Sequence, residues 1–254
     1  MKSISVAAPW AMPRRAHAYD PRRYHFWRRW VLKPALDWLG MTLFARLGDV
    51  QGLEHVPQQG PVLMYYNHIA FVDPLVILHV LPRIDVTPLA KVEAFHYPVI
   101  GIFPRMWGAI PVHRGEVDRF AIKATLRALA REEIVLIAPE GTRSPQLLRA
   151  KPGLAYFAAR ARVPLLPVAV EGTEGYPTWP LARRWWQDPK AQVRFGRPFW
   201  LHGPERPDAE ALQRMTDEAM VILAQMLPPR RRGAYADASL DFRYARWDGP
   251  PPWA

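Results

Sequence analysis

Short apolar runs alternate with amphipathic stretches from about Gly60 onward. The apolar runs are bounded by turn residues, which is typical of strands: Pro61–Tyr66, Val86–Ala90, Ala109–His113, Ile134–Ala138, Leu165–Val170 and Gln192–Phe195. Apolar residues at helical spacing recur in the stretches between and after them: Pro74–Val80, Val117–Arg131, Leu154–Ala161 and Ala209–Leu227. Strands that alternate with helices indicate an α/β fold, in which helices flank a largely parallel central sheet.

A different pattern occupies the chain from Tyr24 to about Leu47. Apolar residues recur there in pairs every four positions, which predicts a helix: Phe26, Trp27, Trp30, Val31, Pro34, Ala35, Trp38 and Leu39. Proline in a helix removes a hydrogen bond, so we expect Pro34 to kink or break this one. Gly40 then separates it from a second short helix through Met41, Leu43, Phe44 and Leu47. An N-terminal amphipathic helical pair is therefore expected to precede the sheet.

The opposite side of the first helix is polar, with Arg28, Arg29, Lys33 and Asp37. Aromatic rings beside basic residues suit a helix that lies in a membrane surface, where the rings enter the acyl boundary and the cations meet anionic headgroups. An amphipathic helix packed on its own domain is the alternative. We favour membrane contact, because the first 50 residues hold nine Lys and Arg against three Asp.

Composition narrows the class of partner. The chain of 254 residues holds 34 Lys and Arg against 23 Asp and Glu, a net charge of +11, and it has 11 tryptophans. Such a balance favours a polyanionic partner, and tryptophan favours the membrane–water boundary. The sequence has no cysteine, which excludes disulfides, thiolate metal ligands and a cysteine nucleophile.

The sequence predicts a protein that lies on the membrane without crossing it. No stretch reaches about 18 consecutive apolar residues, and prolines and arginines interrupt anything like a signal peptide near the N-terminus. We divide the chain into a basic arm with interfacial helices (1–47), a catalytic domain (48–227) and a wrapping tail rich in Pro, Arg and aromatic residues (228–254).

The first candidate for chemistry is the stretch from Asn67 to Pro74, directly after a predicted strand. His68 is a natural general base near neutral pH, and a carboxylate such as Asp73 can orient and charge an imidazole. Asp73 followed by Pro74 also has the pattern of a helix N-cap. The two roles of Asp73 do not exclude each other.

Two further motifs supply cations and a tight turn at strand ends. Arg114 ends the stretch from Gly108, where its guanidinium can bind a phosphate through two donors; a surface arginine at a strand end is the alternative. The second motif begins at Pro139 and continues with Glu140, Gly141, Thr142, Arg143 and Ser144. Glycine permits close backbone approach, the hydroxyls donate, and Arg143 offers a second phosphate ligand. An ordinary surface turn is the alternative here.

The order of these motifs resembles the four-block signature of the glycerolipid acyltransferase family, whose members include the 1-acylglycerol-3-phosphate (lysophosphatidic acid) acyltransferases. The blocks are His68-x4-Asp73, Gly-x-Ile-Pro-Val-x-Arg114, Pro-Glu140-Gly-Thr-Arg143-Ser and Val-Pro-Leu-Leu-Pro at 163–167. Lys91 also falls where such proteins have lysine-rich turns. The resemblance covers roughly residues 48–200, and members of the family commonly have an amphipathic N-terminal helical region.

This resemblance implies a direct acyl transfer in which His68 takes the proton of an acceptor hydroxyl and Asp73 orients the imidazole. The hydroxyl attacks the thioester of acyl-CoA or acyl-acyl carrier protein, so no cofactor is required beyond this co-substrate. Phosphate and glycerol groups of the acceptor are then held by the remaining motif residues: Lys91, Arg114, Glu140, Gly141, Thr142 and Arg143. The expected product is phosphatidic acid, made in phospholipid biosynthesis at the cytoplasmic face of the cell membrane by a peripheral or monotopic protein.

Departures from the family pattern leave the acceptor open. The family usually has an aromatic residue where this chain has Ala138, the loop from Arg143 to Gly153 is slightly shorter, and position 113 is histidine. Glycerol 3-phosphate, another lysophospholipid, an amino-acid-derived lipid or a glycolipid are the alternative acceptors. A non-catalytic lipid-binding protein on the same fold is the rival from another class.

Metal and nucleic-acid binding are not expected. His55, His79, His96 and His113 show no ligand spacing with carboxylates, and no nucleic-acid motif accompanies the positive charge. Basic and aromatic residues mix again at 176–186, where we predict a solvated loop in preference to a second interfacial patch.

Overall fold

The computed structural model describes residues 19–40, 45–98, 101–115, 117–174, 190–238 and 241–249. Its centre is a seven-stranded sheet in the order β1-β7-β6-β2-β5-β3-β4. The strands are β1 (Leu47–Gln51), β2 (Val62–Tyr66), β3 (Val86–Lys91), β4 (Ile110–Val112), β5 (Ile134–Ile137), β6 (Leu165–Glu171) and β7 (Ala191–Phe195). A separate antiparallel pair consists of β8 (Trp200–Leu201) and β9 (Ala245–Arg246), which are far apart in the chain.

The sheet is largely parallel, as predicted, with one reversal. Strands β2 to β6 run in the same direction, whereas β7 is antiparallel to β6 and parallel to β1. The carboxyl ends of β2 to β6 therefore meet at one edge of the sheet, which is called the site edge below. Ligands of open parallel sheets bind at this kind of edge.

Helices cover both faces of the sheet. Five of them, within the described residues, follow the strands: α1 (Asp73–Val80), α2 (Ile102–Trp107), α3 (Arg119–Ala130), α4 (Gly153–Ala161) and α5 (Ala209–Gln225). One core lies between the sheet and α3, α4 and α5, and the other between the sheet, α1, α2 and the N-terminal helical segment. Strand β2 is buried along its whole length because both cores cover it.

The N-terminal helical segment, hereafter the N-terminal helix, is continuous through Pro34. It consists of a 3-10 turn (Pro21–Tyr24), an α turn (His25–Trp27), a π turn (Arg28–Leu32), an α turn (Lys33–Ala35) and a π turn (Leu36–Gly40). Of the expected kink or break at Pro34, the break does not occur, because widened turns flank this proline and accommodate its missing N–H group. Residues 41–44 of the predicted second helix lie outside the described residues, and Leu47, predicted as helical, begins β1.

The two faces of the N-terminal helix differ in exposure. Leu32 and Leu36 pack into the core, whereas Phe26, Trp30 and Trp38 are 63%, 65% and 78% exposed. The predicted polar face is wrong for Arg28, which is fully buried. No helix among the described residues combines the length and the apolarity needed to cross a bilayer.

Candidate active site

The sequence places His68 and Asp73 at the site edge because β2 ends two residues before the histidine. His68 Nδ1 lies 2.8 Å from Asp73 Oδ2, and the Asp73 side chain is fully buried while that of His68 is 15% exposed. A neutral imidazole that donates its Nδ1 proton to a carboxylate has its lone pair on Nε2. The pair therefore has the composition and the geometry of a general base with its orienting carboxylate.

Asp73 also fixes the backbone around the histidine. The same Oδ2 atom accepts hydrogen bonds from the N–H groups of Ile69 (2.6 Å) and Ala70 (2.8 Å). The N-cap prediction is wrong in detail, because Asp73 is the first residue of α1 and its carboxylate bonds backward into the loop. Three donors on one buried oxygen hold the loop that carries His68 in a single conformation.

Asn67 and Tyr66 hold His68 from the side of the sheet. The Asn67 amide donates to Val170 O and accepts from Val170 N, both at 2.8 Å, so it links the end of β2 to β6. The Tyr66 ring meets the His68 ring edge-on, with centroids 5.5 Å apart. Burial raises the pKa of the Tyr66 hydroxyl, which keeps this residue neutral. Neither role follows from the sequence, since both depend on neighbours far along the chain or on ring orientation.

Glu140, which follows β5, lies close to His68 but is held by backbone donors. Its Oε2 accepts from Leu148 N at 2.7 Å, and its Oε1 accepts from His68 N at the longer distance of 3.4 Å. Burial raises the pKa of Glu140 to about 7, an effect that the two backbone donors oppose and the nearby Asp73 reinforces. The structure thus places Glu140 against the backbone of the histidine loop.

The turn that follows Glu140 depends on glycine. Gly141 has φ +70°, a left-handed conformation that favours glycine, although a Cβ there would meet only the Lys151 side chain at 3.6 Å. Lys151 N donates to Pro139 O at 3.1 Å and closes the loop behind the turn. The next residues, Thr142 and Arg143, are exposed at the site edge.

Cations surround this edge without intramolecular ion pairs. Arg114 and Arg143 are exposed, and neither forms a salt bridge with any described residue. Lys91, at the end of β3, lies 5.9 Å above the Tyr97 ring. Unpaired guanidinium groups are available to an anionic ligand, since no intramolecular carboxylate has to be displaced. The motifs of His68, Arg114 and Glu140 thus lie at one edge of the sheet, whereas the fourth block, at 163–167, leads into β6 at the opposite edge.

His113, beside Arg114, is held by a carboxylate of its own. Asp118 Oδ2 accepts from His113 N and lies 2.9 Å from His113 Nδ1, while Asp118 Oδ1 caps α3 through Ala121 N. Burial alone would raise the pKa of the Asp118 carboxyl, but these hydrogen bonds lower it overall. Within the described ranges, no three His, Asp or Glu side chains are grouped so as to hold a metal ion.

Comparison with known proteins agrees with this geometry. Residues 48–171 match the model of the Acyltransferase family, a range that includes every residue of the candidate site. The crystal structure of the 1-acyl-sn-glycerophosphate (LPA) acyltransferase of Thermotoga maritima is similar in fold, with a TM-score of 0.52 over 78% of this chain and 75% of that chain, at 23% identity.

Curated relatives have names of the same kind. The 1-acyl-sn-glycerol-3-phosphate acyltransferase of Bacillus subtilis is 31% identical over 48% of this chain and 62% of its own length, and the alpha enzyme of Mus musculus is 27% identical over 69% and 62%. A lyso-ornithine lipid O-acyltransferase of Rhizobium meliloti is 33% identical over 43% of this chain and 38% of its own length. The chain therefore spans less than two thirds of the length of these relatives.

The family match and the three motifs at the site edge agree, and residues 48–171 of this chain belong to the Acyltransferase family.

Proposed function

We propose that this protein transfers a fatty acyl group from an acyl thioester, acyl-CoA or acyl-acyl carrier protein, to the free hydroxyl of 1-acylglycerol-3-phosphate and so forms phosphatidic acid. The observation that carries the proposal is the hydrogen-bonded pair of His68 and buried Asp73 at the site edge. Relatives named as acyltransferases of this acceptor support it.

The proposed reaction needs one base and no covalent enzyme intermediate. Nε2 of His68 takes the proton as the acceptor oxygen attacks the thioester carbonyl carbon, and Asp73 stabilises the imidazolium that forms. The C–O bond forms, the C–S bond breaks, and the departing thiolate receives the proton from His68. General base catalysis of this kind contributes about 10²- to 10⁴-fold in rate.

The test is acyl transfer by purified His68→Ala, with His79→Ala as the matched control. His79 lies in the last turn of α1, at the opposite end of the helix that begins with Asp73. We expect His68→Ala to lower kcat by at least about 100-fold and His79→Ala to keep it. Thioester loss and phosphatidic acid formation are measured together with oleoyl-CoA, then acyl-acyl carrier protein, and lysophosphatidic acid in micelles.

Transfer that survives in His68→Ala would overturn the assignment of the base. Loss of activity in both histidine variants would point to a folding defect, which circular dichroism detects. Lipid binding by a wild-type protein that transfers no acyl group to any acceptor would favour the non-catalytic alternative.

We assign the binding of the acceptor's phosphate to Arg114 and Arg143. The remaining residues of the proposed acceptor site are Lys91, Gly141 and Thr142 beside these arginines and Glu140 behind the turn. The similarity to a lyso-ornithine lipid acyltransferase makes an acceptor without a phosphate the second candidate. Arg114→Ala separates the two, with Arg119→Ala, an exposed arginine at the start of α3, as control. A charged hydrogen bond contributes about 1.5–3 kcal/mol, so kcat/KM for lysophosphatidic acid should fall by about 10- to 150-fold.

The same Arg114→Ala variant should transfer acyl groups to monoacylglycerol as well as the wild type does. Equal losses with both acceptors would refute the role of Arg114 as a phosphate ligand. Faster wild-type transfer to lyso-ornithine lipid than to lysophosphatidic acid would favour the second candidate.

The proposed partner surface is an anionic membrane at the cytoplasmic face, contacted by the exposed aromatic side of the N-terminal helix. The rings of Phe26, Trp30 and Trp38 would enter the acyl boundary, and Arg29, stacked 5.5 Å from the Trp30 ring, would stay at headgroup level. Buried Arg28 takes no part in this contact.

Flotation with anionic liposomes tests the anchor. The triple substitution of Phe26, Trp30 and Trp38 to serine should abolish flotation at nearly unchanged thermal stability, because these rings are largely exposed. Ile102→Ser/Val117→Ser is the matched control, since it removes exposed apolar groups next to the site edge. Loss of flotation in the control but not in the triple variant would move the membrane contact to the site edge.

A further inference from the structure

The segment that follows α5 packs against the loop behind Arg143. Residues 228–236, here called the C-terminal strap, contain the 3-10 turns Pro229–Arg231 and Gly233–Tyr235. Leu147 N donates to Arg231 O at 2.8 Å, and Ala234 N donates to Leu147 O at 2.9 Å. The strap and the loop 144–150 are thus joined on both sides of Leu147, which is itself buried.

Gly233 permits this close approach. Its φ is +45°, and a Cβ atom at this position would lie 2.2 Å from Leu147 O and 3.0 Å from Leu147 N. A side chain there would force the strap away from the loop. The Tyr235 hydroxyl adds a third connection, since it accepts from Ala150 N at 3.0 Å and donates to Asp217 Oδ1 at 3.0 Å.

Arg231 joins the loop to the end of β6. Its Nε donates to Glu171 Oε1 at 2.8 Å, its Nη1 donates to Pro145 O at 2.8 Å, and its Nη2 contacts Glu174. The side chain is 9% exposed, so these three partners satisfy a nearly buried guanidinium. The planar fork of arginine reaches all three at once, which the single ammonium of lysine does not do.

Two of these three partners, Pro145 and Glu171, are connected to His68 through neighbouring residues. On the loop side, Ser144 N donates to His68 O at 2.8 Å, and Leu148 N donates to Glu140, whose other oxygen accepts from His68 N. On the sheet side, Glu171 follows Val170, and both main-chain groups of Val170 bond Asn67, the residue before the histidine. The two connections approach the main chain of His68 from opposite sides.

We propose that Arg231 is a positioning residue for His68, which holds the loop 144–150 and the end of β6 at the spacing that the base requires. This role rests on the acyl transfer proposed above. Misplacement of a catalytic group by about 1 Å can cost about 100-fold in rate. Loss of the fork should therefore lower turnover although Arg231 touches neither substrate.

The experiment compares Arg231→Gln and Arg231→Lys with the matched control Arg230→Gln. Arg230 lies beside Arg231, bonds the other oxygen of Glu171 at 2.9 Å, and is 69% exposed. We expect kcat to fall at least about 10-fold in both Arg231 variants with little change in KM for the thioester. Arg230→Gln should stay within about twofold of the wild type, since an exposed ion pair contributes little.

Hydrogen exchange distinguishes positioning from simple stabilisation. In Arg231→Gln the amides of Leu148 and Ser144 should exchange faster while the strands of the central sheet keep their protection, and Arg230→Gln should leave both unchanged. A lower melting temperature with unchanged kcat per folded molecule would overturn the proposal, as would equal kinetic losses in Arg230→Gln. Arg231→Lys keeps the positive charge, and it replaces Arg231→Gln in both measurements if Arg231→Gln does not fold.

A wild-type protein without acyl transfer would refute the proposed function but not the coupling. Hydrogen exchange alone then tests the coupling. Faster exchange of the Ser144 and Leu148 amides in Arg231→Gln supports it, and unchanged exchange refutes it.

Discussion

Two buried glutamates at the two ends of β5 differ in how they are neutralised. Glu133, before the strand, bonds Arg28 Nη1 at 2.6 Å, Thr87 Oγ1 at 2.9 Å and His25 Nε2 at 2.5 Å. Glu140, after the strand, has two backbone N–H donors and no ion pair within the part of the chain that the structure describes. Burial raises the pKa of both carboxyls, but the partners of Glu133 outweigh burial and lower its pKa overall, whereas the pKa of Glu140 rises to about 7.

This difference separates the Glu133 cluster, at the amino end of β5, from the candidate site at its carboxyl end. At the amino end of β5 the charges are fully paired, and Arg28 also bonds Trp107 O at 2.8 Å and Thr87 Oγ1 at 3.0 Å, so the cluster joins the N-terminal helix to the sheet. At the carboxyl end, Glu140 forms no ion pair with another described residue, and Arg114 and Arg143 are exposed. Polar groups left partly unsatisfied at the site edge remain available to substrate.

Removal of Arg28 should have the largest effect on stability. Arg28→Met leaves the buried Glu133 charge without its cation, and breaking a buried ion pair in this way costs about 3–5 kcal/mol. The double variant Arg28→Met/Glu133→Leu should recover much of the loss, because both charges are then absent. Urea unfolding measures each free energy, and a loss below about 1 kcal/mol in the single variant would contradict the assigned role.

The pH dependence of stability should have opposite signs for the two glutamates. The folded pKa of Glu140 is raised, so the folded state binds its proton more tightly, and wild-type stability falls relative to Glu140→Gln as pH rises from about 4.5 to about 7. The change is at most about 3.5 kcal/mol, since one pKa unit corresponds to about 1.4 kcal/mol.

The folded pKa of Glu133 is lowered, and its contribution is therefore present above the ordinary value of 4.5 and is lost as pH falls through the folded pKa. The advantage of wild type over Glu133→Gln should accordingly shrink in acid. Urea unfolding from pH 3 to pH 8 measures both differences, and the same sign for both variants would break the comparison.

His25→Asn should lower the free energy of unfolding by about 1–2 kcal/mol, which is less than the loss caused by Arg28→Met. It removes one of the three hydrogen bonds to Glu133, and the histidine side chain is 33% exposed, so water replaces part of what is lost. Thermal unfolding measures the change. A cost equal to that of Arg28→Met would assign the main neutralising role to His25.

Asp37→Asn should cause the smallest loss in the free energy of unfolding, about 0.5–1 kcal/mol. Asp37 Oδ1 lies 2.7 Å from Lys33 Nζ and 2.7 Å from His79 Nδ1, and it links the N-terminal helix to α1, but its side chain is 40% exposed. Salt should weaken the link, because exposed ion pairs are screened. Unfolding in low and high salt tests this, and a salt-independent loss of more than about 2 kcal/mol would show that this cluster resembles that of Glu133.

The sequence predicts most of the sheet because its inner strands are continuous apolar runs. β2, β5 and β6 each form such a run, whereas β1, with Gly48 and Asp49 in its five residues, has no local signal and forms by pairing with β7 at the sheet border. The sequence does not predict α2 either, because this helix has only six residues and contains Pro104.

The motif residues of the site are recognisable in sequence, but their supports are not. Helical periodicity places Arg28 on the polar face, yet the structure buries it because Glu133, 105 positions away, supplies its partner. The links of Asn67 to Val170 and of Arg231 to Glu171 likewise join residues far apart in the chain. Spacing within a motif carries no information on such long-range pairs.

The π turns of the N-terminal helix also set its angular phase. Each π turn closes over one residue more than an α turn, and each residue of an α-helix advances the side-chain direction by about 100°. Deletion of one residue within Arg28–Leu32 should therefore let the turn tighten to an α turn without rotating the later positions, because each kind of turn covers about one revolution of the helix. A deletion within an α turn would instead rotate the later side chains by about 100°, so the N-terminal helix tolerates a change of length only where its turns are widened.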